Sequence, residues 1–193
     1  MKRILTILLT CLTLALTTAC NTKTKSSVND HPVVVIKVKN YGDITVKLDR
    51  TQAPITVDNF MKLVNEKFYD GLTFHRIIDT FMIQGGDPKG DGTGGSKKTI
   101  KGEFSQNGVE NNISHTRGTI SMARSSDYNS ASSQFFIMQD DNTGLDGQYA
   151  AFGKVTKGMH VVDQIAWNTP VLDNNGTVAK DQQPVIESIR VKK

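Results

Sequence analysis

Cysteine is nearly absent from this 193-residue chain. Its two examples, Cys11 and Cys20, both precede residue 31, so everything after that lacks a disulfide framework and thiolate chemistry. The fold must therefore rest on a packed core, which a domain of this size can supply. Excess charge of one sign is missing as well. The formal net charge is +4, but Lys2, Arg3, Lys23 and Lys25 all lie near the N-terminus, and from His31 onward 19 basic residues face 18 acidic ones. Nucleic-acid binding needs a dense basic face; the pair Lys97-Lys98 does not make one, and no nucleic-acid partner is expected. Beyond the first twenty residues no apolar run is long enough to span a bilayer.

Familiar catalytic spacings are missing too. His31, His75, His115 and His160 stand far apart, with no His-x-x-x-His or cysteine pattern, so no metal site is expected. No Gly-x-Ser-x-Gly elbow offers a nucleophile. Asp140 and Asp141 are adjacent and would point apart on a regular element, which gives paired acid catalysis no support. Gly90 to Gly95 (GDGTGG) fits a dinucleotide fingerprint literally, yet no helical pattern follows and Ser96 stands where a phosphate loop requires lysine. That stretch reads as a flexible turn.

What is present begins with an address. Lys2 and Arg3 form a positive start, Ile4–Thr18 is apolar, and Leu16-Thr17-Thr18-Ala19-Cys20 follows. This has the length and polarity of a secretory leader, and small residues before a cysteine resemble a bacterial lipobox. Thr17 departs from the usual Leu, Ile or Val three places before the cysteine. The resemblance implies removal of residues 1–19 as a signal peptide and acylation of Cys20. Residues 20–30 are polar and suit a flexible tether. Several acyl chains would hold the protein on the outer face of the cell membrane, where exported chains fold. Residues 31–193 then form one domain.

Within it, Val34–Lys39 and Ile44–Leu48 flank the turn signal Asn40-Tyr41-Gly42-Asp43 and read as a β-hairpin. Val57, Phe60, Met61 and Val64 recur with helical spacing after Pro54. Further strands are expected at Thr73–Ile78, Met82–Gln84, Gly118–Ala123, Gln134–Met138, Ala151–Val155 and Val185–Lys192. In the last of these, Val185, Ile189 and Val191 form one alternating row. A second helix fits Gly158–Ala166, with Met159, Val162 and Ile165 inward. Many short strands with only two helices predict a mainly β fold, a closed eight-stranded antiparallel barrel capped by two helices.

Five segments stand out in order: FHRIIDTFMIQGGD (74–87), GTISMA (118–123), SSQFFI (132–137), LDG (145–147) and FGKV (152–155). Together they resemble the cyclophilin family of peptidyl-prolyl isomerases, over His31 to Lys193. The resemblance implies that Arg76 is the catalytic donor, bonding the proline carbonyl and approaching the prolyl nitrogen. It assigns Gln84 to hold Arg76 or the substrate carbonyl, although an ordinary barrel-wall role would also suit it. Phe81, Met82, Phe136 and Leu145 match the proline pocket; read without the resemblance, Phe81 and Phe136 would be core residues. The backbone of Ala123 and Arg124 matches a peptide-binding edge, and Gln134 a substrate contact. His75 reads as structural. Gly144 and Tyr149 stand where the best-known eukaryotic pattern has Trp and His, and Tyr149 can still close the pocket.

Rotation about a prolyl bond breaks no bond, so no cofactor is expected. The implied partners are proline-containing polypeptides, exported chains in particular, acted on by a monomer. The competing reading is a module or holdase chaperone that grips proline segments without needing turnover. The address has its own check: Cys20→Ser should abolish acyl labelling and release the protein from membranes, and a Ser variant that stays on the membrane would rule out the lipid anchor.

Overall fold

The computed structural model describes residues 29–192. The leader expected over residues 1–19, Cys20 and the tether up to residue 28 lie outside the described residues.

The first hairpin forms where alternation and turn chemistry coincide. Strand β1 (Val33–Val38) pairs antiparallel with β2 (Gly42–Leu48), burying Val34, Ile36 and Val38 beside Ile44, Val46 and Leu48. Asn40 and Gly42 take the left-handed conformations of the turn, at φ 66° and 114°. Helix α1 (Pro54–Asn65) starts at a proline and buries Val57, Phe60, Leu63 and Val64. Met61, expected on that face, is only partly buried, and Leu63 lies deeper.

No side chain at its own N-terminus caps α1. Glu103 does so from 47 and 48 residues away: Oε1 accepts the Ile55 N–H at 3.0 Å, and Oε2 accepts the Thr56 N–H and hydroxyl at 2.7 Å each. A carboxylate here satisfies orphan donors and faces the positive end of the helix dipole.

The remaining elements are β3 (Thr73–Ile78), β4 (Met82–Asp87), β5 (Thr119–Met122), β6 (Phe135–Met138), β7 (Ala151–Lys157), α2 (Met159–Asn168) and β8 (Ile186–Val191). The eight strands form one antiparallel sheet in the order β3-β4-β6-β5-β7-β2-β1-β8. The sheet curls into a half-barrel, so the expected closed barrel is corrected to an open one. The edge strands β3 and β8 meet at an isolated bridge, Thr73–Val185, and not along a ladder. Phe74 N–H donates to the Pro184 carbonyl at 2.9 Å, but proline has no N–H to return.

The last strand is also corrected. Lys37 pairs with Ser188 and Val38 with Ile186, which leaves Glu187 as an extra, bulged residue. The bulge turns both Ile186 and Ile189 inward, while Val191 is exposed. The main core packs Phe60, Tyr69, Phe74, Phe135 and Phe152 inside the curl, with Phe60 and Phe135 edge-to-face at 5.6 Å. A smaller cluster of Met82, Phe136 and Met138 lies apart from it, joined by Phe81, Ala123, Leu145 and Tyr149.

Removing the long-range cap should be felt by the whole domain. Glu103→Ala is expected to lower stability by about 2–3 kcal/mol and the thermal midpoint by roughly 5–10 °C, measured by urea and thermal unfolding. An unchanged midpoint would show that α1 does not depend on Glu103.

Candidate active site

Successive residues of a strand face opposite ways, so Phe74 and Arg76 should share a face. They do not, because β3 carries a bulge. Phe74 pairs with Gly85 and Arg76 with Gln84, leaving His75 unopposed. Phe74 accordingly enters the main core, while Arg76 turns to the other side of the sheet beside Gln84. The register runs on across the sheet. Gln84 is opposite Phe136 on β6, and Phe136 is opposite Ser121 on β5.

Hydrogen bonds fix the polar half of this row. Arg76 Nη1 donates to Gln84 Oε1 at 3.2 Å, Nε donates to the Asn175 carbonyl at 2.8 Å, and Nη2 donates to Asn175 Oδ1 at 3.3 Å. Burial lowers the guanidinium's pKa, opposed by Tyr149 and Asp173, and an arginine so placed remains charged. Gln84 Nε2 in turn donates to Gln134 Oε1 at 2.9 Å. Gln134 Nε2 donates to the carbonyls of Gly92 at 3.1 Å and Gly94 at 2.7 Å.

Those carbonyls belong to the glycine-rich stretch expected to be a flexible turn, and Asp87 ties it down. The buried Asp87 carboxylate accepts N–H groups from Lys89, Asp91, Gly92 and Gly94 at 2.7–3.2 Å. A Cβ at residue 94 would stand 2.0 Å from Asp87 Oδ1, so glycine is needed there. Burial pushes the Asp87 pKa up, yet the four N–H donors outweigh it and hold the carboxyl below its usual range.

Arg76, Phe81, Met82, Gln84, Ala123, Arg124, Phe136, Leu145 and Tyr149 all line one cavity of about 490 Å³. Gln134 lines an adjoining cavity of about 250 Å³ with Thr93, Ser125, Ser130 and Ser132. Of the expected peptide edge, the Ala123 N–H is already engaged by the Gln134 carbonyl at 3.0 Å. The Arg124 guanidinium is bracketed by the rings of Phe104, Tyr128 and Tyr149, 5.2, 4.8 and 4.8 Å from their centres. His75 is buried in the cavity wall, and neither ring nitrogen has a partner among the described residues. Burial lowers its pKa, opposed by Asp87 and Asp91, so the ring is neutral at neutral pH. Among the described residues no three His, Cys, Asp or Glu side chains cluster as a metal site would require.

Sequence alone did not point to Asn175, which reaches Arg76 across 99 positions. Its one local signal is the turn dipeptide Asn175-Gly176. Gly176 adopts φ 81°, and a Cβ there would lie 2.2 Å from the Ile77 carbonyl oxygen, so only glycine lets this loop dock on β3.

A charged donor beside an apolar cluster, with no nucleophile paired to it, suits bond rotation better than bond cleavage. The family model described as cyclophilin type peptidyl-prolyl cis-trans isomerase/CLD matches residues 33–192. The chain belongs to this family. Similar proteins include peptidyl-prolyl cis-trans isomerase A of Dickeya dadantii, 42% identical over 170 residues, with 86% of this chain and 84% of that protein covered. A peptidyl-prolyl cis-trans isomerase of Acinetobacter baylyi is 43% identical over 159 residues, covering 79% and 82%. The crystal structure of a Cryptosporidium parvum cyclophilin type isomerase aligns with TM-score 0.74 at 30% identity, covering 84% of this chain and 98% of that one. A second crystal structure of that isomerase, obtained in the presence of the dipeptide Ala-Pro, aligns with TM-score 0.73 at 31% identity, covering 83% and 99%. As a cyclophilin the chain is an enzyme, a peptidyl-prolyl cis-trans isomerase.

The Asp87 loop makes a pH prediction for this cyclophilin. A carboxyl whose folded pKa is depressed stabilises the fold fully above its unfolded value of about 3.9, and loses that contribution as pH falls through the lower folded value. Amide exchange at Gly92 and Gly94, corrected for intrinsic rates, should therefore accelerate well below pH 4, and Asp87→Asn should show the same acceleration at pH 7. Equal protection in the variant would exclude Asp87 as the anchor of the loop.

Proposed function

We propose that Arg76 drives isomerisation by stabilising the twisted prolyl bond. The planar amide resists rotation with a barrier of about 18–20 kcal/mol, set by C–N resonance. Twisting localises the nitrogen lone pair and pyramidalises the nitrogen. A fixed cation that donates toward that nitrogen binds the twisted state more tightly than either planar state. Gln84 and Asn175 hold the guanidinium, so little reorganisation is needed during rotation. Met82, Phe136, Leu145 and Tyr149 form the apolar seat for the proline ring, with Phe81 at its border. Gln134 and the Ala123–Arg124 edge hold the flanking peptide while the other side turns.

The observation that carries this reading is the placement of the Arg76 guanidinium in the same cavity as that apolar cluster. Its clients are proline-containing exported chains. The leader-like start and the cysteine at position 20 support this, with the enzyme held by acyl chains on Cys20 at the extracytoplasmic face of the cell membrane. Uncatalysed prolyl isomerisation takes roughly tens to hundreds of seconds, slow enough to limit their folding.

Exchange NMR or a coupled assay on an Ala-Pro peptide tests the role of Arg76. Arg76→Ala should lower kcat/KM by about 10²–10³-fold, and Arg76→Lys should recover little of it, since an ammonium lacks the planar fork. An unchanged rate in Arg76→Ala would sink the mechanism.

A further inference from the structure

A second hydrogen-bonded chain lies behind the apolar cluster. His115, on the segment before β5, is 1% exposed. Its Nδ1 is 2.8 Å from Asp146 Oδ1 and its Nε2 is 3.0 Å from Ser121 Oγ. Asp146 Oδ1 also accepts the His115 N–H at 2.7 Å, and Oδ2 accepts the Ser114 hydroxyl at 2.7 Å. A carboxylate only accepts, so the partners assign the proton to Nδ1 and make Nε2 the acceptor of the Ser121 hydroxyl. Burial lowers the imidazole's pKa, against the raising effect of Asp146, which agrees with a neutral ring. The order Ser–His–Asp is that of a hydrolytic triad, but Ser121 is fully buried within β5 and no substrate carbonyl can reach it.

The chain of bonds holds the walls of the apolar seat. The His115 carbonyl accepts the Asn142 N–H at 2.8 Å. Asn142 precedes, and Asp146 follows, the short 3-10 turn Thr143–Leu145. One residue thus ties both ends of that turn. Its ring stacks on Phe136, with centres 6.0 Å apart and planes 19° apart, and meets Tyr149 edge-on at 6.4 Å. Ser121, at the far end, is the cross-strand partner of Phe136. Three walls, Phe136 on β6 and Leu145 and Tyr149 on the connection to β7, are referenced to one imidazole.

We propose that His115 is a positioning residue for the proline seat: its two ring hydrogen bonds, to Asp146 and Ser121, set the spacing of Leu145, Phe136 and Tyr149 and thereby the affinity for the prolyl ring. The inference rests on the reading of that cluster as the seat. Affinity and turnover separate here, because Arg76 acts on the rotating bond and His115 touches only the walls.

Peptide titration and exchange NMR on full-length protein with an Ala-Pro peptide provide the test. His115→Phe keeps a ring and removes both hydrogen bonds. Its KM should rise about five- to tenfold with kcat within about twofold of wild type. A merely destabilised protein would instead lose active enzyme, lowering the apparent kcat at unchanged KM. Should His115→Phe not fold, Ser121→Ala and Asp146→Asn each break one link. Each should then raise KM about two- to fivefold, and the double variant by less than the product, because both act through one imidazole. Phe136→Ala serves as the control. If it weakens peptide binding while the KM values of these variants stay at that of wild type, the positioning role is overturned. If Phe136→Ala binds peptide as wild type does, the seat itself has been misplaced, and the inference falls with it.

Discussion

Strand pairing lines up Arg76, Gln84, Phe136 and Ser121 in one row across β3, β4, β6 and β5, and the row exists because His75 is left out of the count. Without that bulge Arg76 would follow Phe74 into the core, where an unpaired guanidinium is prohibitively costly. With it, a cation, a bridging amide, an aromatic floor and a buried hydroxyl arrive side by side on the face away from the main core. The same row explains why the apolar side chains on that face form a cluster of their own. Phe135 and Phe136 are neighbours in sequence but serve opposite faces, one packing the core and the other the cavity.

Much of this was legible in the sequence. The hairpin, both helices and the six later strands fall close to their expected positions, since alternation and helical spacing are local signals. The residues expected in the site do gather around one cavity and its neighbour. The failures share a cause. The bulges at His75 and Glu187 depend on what the partner strand does, which no single segment records. The two edges of the sheet meet at the bridge between Thr73 and Val185, a contact between distant segments.

Long-range polar contacts were equally invisible. Glu103 caps a helix it does not belong to, Asn175 braces Arg76 from a late turn, and Asp87 gathers the glycine-rich stretch. In each case one side chain satisfies backbone or cationic groups that would otherwise be unpaired. Sequence spacing says nothing about such pairs, because the fold brings them together only after the sheet has formed. His115 belongs with them: as an isolated histidine it offered no motif, and its partners come from β5 and from the turn bearing Leu145.

Both arginines of the cavity are held before any ligand arrives. Gln84 and Asn175 grip Arg76, while three rings and the Gln148 carbonyl grip Arg124. A free arginine side chain samples many rotamers, and restricting it costs up to about 2 kcal/mol. Here that loss of conformational entropy occurs once, when the chain folds, and is not repeated each time a peptide enters and leaves. A cavity frozen in this way presents the same charge geometry to every ligand that enters it.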